Sequence, residues 1–200
     1  MKMIKQLLLK SVALITPLST SLRSTMSTAT TASNTESATF AAGCFWGVEH
    51  IYNKHFKGKG IVSTEVGYAQ GAAANPTYKQ VCTGTTNHAE VVRVHFDPTL
   101  VSYEQLVTFF FRMHDPTDVN RQGPDVGTQY RSGIYTVSAD QDRIAHEVKE
   151  RVAKYFSKPI ATEITELTTF WTAEGYHQQY LVKNPSGYEC PSHFVREFKD

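Results

Sequence analysis

Thr39-Phe40-Ala41-Ala42-Gly43-Cys44-Phe45-Trp46-Gly47-Val48 leads from an apolar strand end into a helix. Phe45, Val48, Tyr52 and Phe56 recur at helical spacing, so the chain turns from strand to helix at Gly43-Cys44. Cys44 is thereby expected on a helix N-terminus, where unpaired N–H groups and the macrodipole favour a thiolate. The flanking glycines are expected to leave the sulfur open, with Phe45 and Trp46 walling an apolar patch. A free cysteine is more often a buried structural residue. Here the glycines and the helix start favour the reactive reading.

Downstream, Gly58 and Gly60 break the chain, and Ile61 to Tyr68 reads as a strand. Gln70 to Pro76 is a loop of small residues, and Ala89 to Phe96 a second strand closed by Asp97-Pro98. Ser102-x-x-Gln105 is a capping-box pattern before a helix with Leu106, Phe109, Phe110 and Met113 on its buried face. Gly133 to Val137 is a strand, and Ser138-x-x-Gln141 caps a helix through Phe156 with Ile144, Val148, Val152 and Tyr155 inward. A strand within Ile160 to Leu167 and a short helix from Ala173 to Val182 complete the pattern. The order β-α-β-β-α-β predicts an α+β fold, a ferredoxin-like split βαβ sandwich. It carries an added αβ pair and an irregular C-terminal tail. The connection from Asp115 to Arg131 is too long to be mere wiring and is expected to form one wall of a site.

Composition narrows the function. Lys+Arg 20 against Asp+Glu 19 gives net charge +1, which argues against nucleic acid or an anionic membrane as partner. Cys44, Cys82 and Cys190 are too few for a disulfide framework, and no C-x-x-C pair suggests zinc. Residues 1–36 read as a targeting or disordered segment ahead of a folded unit, 37–200. Lys2, Lys5, Lys10 and Arg23 are basic, no acid precedes Glu36, and 13 of the 21 residues from Ser19 to Thr39 are Ser or Thr, which cannot pack a core. Lys10 and Ser11 interrupt the apolar run that a secretory signal would want. A mitochondrial presequence is the first expectation, ahead of a secretory signal or a plain tail. A start at Met26 would give a cytoplasmic form.

Five blocks then occur in order: Gly43-Cys44-Phe45-Trp46-Gly47, Asn75-Pro76-Thr77-Tyr78-x-x-Val81-Cys82, His88-Ala89-Glu90-Val91, Gly123-Pro124-Asp125-x-Gly127-Thr128-Gln129-Tyr130-Arg131-Ser132, and His177-Gln178-Gln179-Tyr180-Leu181. Together they closely resemble the peptide methionine sulfoxide reductase A family, over roughly Ala38 to His193. The resemblance implies a thiol-dependent reductase of methionine S-sulfoxide, protein-bound and free. Cys44 would be the nucleophile and Glu90 the acid, protonated through burial. Tyr78 and Tyr130 would grip the sulfoxide oxygen, with Asp125 as a supporting hydrogen-bond partner. Phe45 and Trp46 would receive the substrate methyl.

The family's chemistry leaves Cys44 as a sulfenic acid, condensed with a second thiol and reduced by thioredoxin, with no metal or organic cofactor. Many members carry Gly-Tyr-Cys and a further cysteine near the C-terminus, whereas this tail reads Gly187-Tyr188-Glu189-Cys190. The resolving role therefore passes to Cys190, in a bendable segment, while Cys82 is expected to be buried and inert. A monomer is expected. Two rivals need fewer of these residues: a cysteine hydrolase using Cys44, His177 and Asn184, and a non-enzymatic module that binds methionine-rich segments.

Overall fold

The computed structural model describes residues 34–199. The expected targeting segment thus lies, up to residue 33, outside the described residues. Strand β1 (Glu36–Ala42) runs into helix α1 (Phe45–Phe56), and β2 (Ile61–Ala69), β3 (Ala89–Phe96), α3 (Tyr103–Met113) and β6 (Ser132–Thr136) complete the split motif. Short α2 (Tyr78–Cys82) and the hairpin β4 (Arg121–Gln122)–β5 (Asp125–Val126) lie in its connections. Helix α4 (Ala139–Val152) crosses to β7 (Glu163–Glu166), and β8 (Phe170–Thr172) and α5 (Tyr180–Lys183) precede the tail.

The sheet order is β7-β6-β1-β3-β2-β8. Its middle, β6-β1-β3-β2, is antiparallel throughout, with Phe40 opposite both Val92 and Ile134. This is the expected split-βαβ order. Strand β7 joins β6 in parallel after α4, which is the added αβ pair.

Side-chain alternation divides the sheet. Phe40, Val92, Val94, Phe96 and Ile134 point to the main core, and Ala41, Ala69, Ala89, Val91 and Tyr135 form a second cluster. Helices pack on the first face: Phe40 stacks on Tyr52 at 5.3 Å and on Phe110 at 5.4 Å, and the Tyr52 hydroxyl donates to the Leu106 carbonyl. Glu90 shares the parity of Val92 and Val94, so a carboxyl is carried onto the helix side of the sheet.

Local signals explain most boundaries. Ser102 and Gln105 form the complete capping box. Ser138 accepts from the Gln141 N–H, but the Gln141 side chain ties Val137 and Ser37 instead of closing the box. The last turn of that segment tightens into a 3₁₀ turn over Ala153–Tyr155. Thr77 and Gln80 close a box that starts α2, a helix not among the elements expected from the sequence. The helix expected from Ala173 to Val182 shrinks to Tyr180–Lys183. Gln178 bonds both the N–H and the carbonyl of Val66, and the Ala173 N–H also donates to Val66, so the segment's polar groups go to β2 rather than to a helix.

Candidate active site

Cys44 occupies the N-cap of α1. The flanking glycines do not open the sulfur to solvent. Gly43, at φ +89, lets the Gln122 side chain approach closely, since a Cβ there would lie 2.6 Å from it, and Gly47 makes room for the His193 ring. Cys44 is consequently only 7% exposed. Burial pushes its thiol well above its usual range, with the Glu90 carboxylate next and Asp125 adding to it; N–H groups of Trp46 and Gly47 pull the other way. The expected resting thiolate is therefore corrected: the helix start favours the anion, and desolvation outweighs it.

Glu90 lies directly beneath this turn. It is 1% exposed, and its Oε2 accepts the Phe45 N–H at 3.1 Å. Burial raises its pKa to about 8, the Phe45 N–H opposing and Asp125 adding. A carboxyl in this state is a proton donor at neutral pH.

Two half-buried phenols lie within reach of the Glu90 charge. Tyr78 opens α2 and Tyr130 ends a 3₁₀ turn over Thr128–Tyr130, part of the long connection expected to wall the site. Burial, and next Glu90, hold both phenols protonated, and Tyr130 also feels Cys82, Cys44 and Asp125. Asp125 pairs across the hairpin with Gln122 and accepts the Tyr188 hydroxyl, which lies 3.0 and 3.1 Å from its two oxygens. The sequence alone gives Tyr188 no role.

The other side of the pocket is aromatic. Phe45 is fully buried, and half-buried Trp46 stacks face to face on Tyr180 at 3.7 Å. The Trp46 indole N–H donates to His177 Nδ1 at 3.0 Å. Indole is only a donor, so Nδ1 is unprotonated and the neutral ring carries its proton on Nε2, 3.9 Å from Glu174. Glu174 also accepts the Tyr68 hydroxyl and the Tyr78 N–H. The hydrolase constellation is not assembled: His177 serves Trp46, and the Asn184 side chain bonds the Tyr180 carbonyl.

The other two thiols exchange their expected settings. Cys82 is exposed, because five-residue α2 turns Val81 inward, and it bonds the Tyr78 hydroxyl. Cys190, expected in a bendable segment, is 1% exposed, with Sγ 3.6 Å from the Gln122 carbonyl and 3.1 Å from Ser192 Oγ. Gln122 thus contacts both the Gly43 turn and Cys190, and Asp125 raises the pKa of Cys44 and of Cys190. All three cysteines are free. Among the described residues no cluster of three or more His, Cys, Asp or Glu could hold a metal ion.

Residues 36–199 match the family described as peptide methionine sulfoxide reductase. A probable peptide methionine sulfoxide reductase of Schizosaccharomyces pombe is 52% identical over 162 residues, 80% of this chain and 95% of that one. Reduced Mxr1 from Saccharomyces cerevisiae shares the fold with a TM-score of 0.79 at 44% identity, over 82% of this chain and 93% of that one. Mxr1 in complex with Trx2 matches with a TM-score of 0.57 at 30% identity, over 82% and 91%.

Proposed function

The chain belongs to the peptide methionine sulfoxide reductase A family and is an oxidoreductase of methionine sulfoxide, and from that premise we propose how its own residues divide the work. A sulfoxide sulfur resists nucleophiles until its oxygen is protonated or strongly hydrogen-bonded. Glu90 supplies the proton, and the Tyr78 and Tyr130 hydroxyls hold the oxygen between them. Cys44 attacks the sulfur as its own proton passes to Glu90, replacing the one given to the oxygen. The sulfoxide oxygen passes to Cys44, giving a sulfenic acid and methionine. One thiol is oxidised by two electrons as one sulfoxide is reduced.

The raised pKa of Cys44 fits this order of events. An ionised Glu90 disfavours the thiolate, so Cys44 gives up its proton as that proton replaces the one Glu90 passes to the oxygen, and no net charge builds up beside the sulfur. Phe45 and Trp46 receive the methyl group of methionine S-sulfoxide, free or in an oxidised protein. Cys190 then condenses with the sulfenic acid, releasing water, and a thioredoxin dithiol reduces the Cys44–Cys190 disulfide. The likeness to Mxr1 in complex with Trx2 supports that reductant.

One observation carries the reading: a fully buried carboxyl, held near pKa 8, bonded to the residue beside the cysteine. The test is incubation with each epimer of methionine sulfoxide and dithiothreitol. Methionine is expected from the S epimer alone and not from Cys44→Ser. Methionine formation by Cys44→Ser at more than a trace rate would remove Cys44 as the attacking group.

A further inference from the structure

Glu49 has no part in this chemistry, yet it is a carboxylate on α1 buried to 2% exposure. Three donors converge on it. Its Oε2 accepts the Gln179 backbone N–H at 2.8 Å, and its Oε1 accepts the Gln179 side-chain amide at 2.7 Å and the Thr64 hydroxyl at 3.0 Å. Thr64 accepts in turn from Asn53 and from the Gln179 amide, both at 2.9 Å. Gln179 adopts a left-handed conformation, φ 54 and ψ 40, which a residue with a side chain adopts only when held there. The next residue is Tyr180, whose ring lies on Trp46 with planes 12° apart.

We propose that Glu49 is a positioning residue for the substrate's aromatic wall: it locks Gln179 in its left-handed turn and so seats Tyr180 on Trp46. This rests on the reading that Trp46 receives the substrate methyl. A carboxylate suits the task because all three partners are donors, and it can accept from every one. An amide there turns its NH₂ toward a donor and loses at least one bond. Gln178 grips β2 at Val66 beside this point, so Glu49 sets the local turn while Gln178 anchors the segment as a whole. The bland alternative is a carboxylate that only ties α1 to the 178–180 segment, with no influence on the pocket.

The two differ in what a substitution moves. Glu49→Gln, Gln179→Ala and Tyr180→Ala would be made in a Trp171→Phe background, leaving Trp46 as the sole tryptophan. In single turnovers, half-saturation for methionine S-sulfoxide should rise about tenfold in each, with the limiting rate within about twofold, the signature of lost binding rather than lost chemistry. Trp46 emission should shift in each variant. Glu49→Gln combined with Tyr180→Ala should be no worse than Tyr180→Ala alone.

Wild-type half-saturation and emission in folded Glu49→Gln, or additive losses in the double variant, overturn the proposal. If Glu49→Gln does not fold, Gln179→Ala, which leaves the Glu49–Thr64 bond in place, decides by the same two readouts. If the wild-type enzyme makes no methionine, the proposed function fails separately, and Trp46 emission in the Trp171→Phe background still reports whether Glu49 seats Tyr180.

Discussion

In the proposed reaction, Glu90 works against the interest of the fold. Its folded pKa of about 8 lies above the ordinary value of 4.5. The folded protein therefore keeps a proton that the unfolded chain releases. Below about pH 4.5 both states are protonated and Glu90 has no linkage cost. As pH rises from there towards 8 the unfolded state is favoured increasingly, by on the order of 3 kcal/mol at pH 7. Glu90→Gln removes this cost while an amide oxygen can still accept the Phe45 N–H. The variant should flatten the loss of stability between about pH 5 and 8, measured by denaturant midpoints. Its single-turnover reduction should be slower by about 10²–10⁴, the range for a lost general acid. Wild-type reduction should itself decline above about pH 8 as Glu90 loses its proton, and Glu90→Gln should lack that limb. Tyr78→Phe and Tyr130→Phe should each cost less than Glu90→Gln, because the other phenol still donates. Rates for the three variants under the same single-turnover conditions check that order. At this scale the sequence names residues that the fold does bring together, Cys44, Glu90, Tyr78 and Tyr130, since each block of sequence carries its own. The state of Cys44 was not legible: it depends on Gln122, His193 and Glu90, which are distant in sequence and close only in the fold.

Elements were legible where packing repeats a period. The faces of α1 and α3 follow from residues three and four apart, and the alternation in β3 puts Val92, Val94 and Phe96 in the core. They were hidden where the backbone is satisfied by distant groups or the element is very short. The Val66–Gln178 bonds replace the expected helix before Tyr180, and β8 has only three residues. The same physics misassigned the thiols. Val81 is buried, but α2 is too short to bury Cys82 with it, whereas Cys190 is covered by the hairpin it touches. Its placement bears on the second half of the cycle. In Cys190→Ser one equivalent of methionine per enzyme should still form, because attack by Cys44 needs no second thiol. Turnover driven by thioredoxin should stall while dithiothreitol sustains it, and peptide mapping of oxidised wild type should find Cys44 linked to Cys190. A Cys44–Cys82 link, or full thioredoxin-driven turnover in Cys190→Ser, would refute the assignment.

Across the described residues, the sheet's central strand, the Cys44 turn and the tail are bound into one unit. His193 Nε2 lies 2.6 Å from the Ala42 carbonyl, two residues before Cys44. Beyond it, Arg196 and Arg112 exchange bonds, the Arg196 N–H to the Arg112 carbonyl and Arg112 Nε to the Arg196 carbonyl. Phe198 stacks on Tyr155 at 4.4 Å. Upstream, α5 is held to α1 where the Tyr180 ring stacks on Trp46. The segment carrying Cys190 is therefore a loop tied at both ends, not a free tail. Disulfide formation with Cys44 requires the two α-carbons within about 7 Å, and Cys190 must give up Gln122 and Ser192 to bond elsewhere. A loop held at both ends can rearrange only between its ties, so the His193 N–H bond to the Cys190 carbonyl should break while the Arg196 N–H bond to Arg112 persists. Hydrogen exchange, compared before and after oxidation by methionine S-sulfoxide, tests this directly. Protection at the His193 amide should fall, and protection at the Arg196 amide should stay. Equal loss at both amides would mean that the tail detaches as a whole, and its ties to Arg112 and Tyr155 would then have no part in delivering Cys190 to the nucleophile.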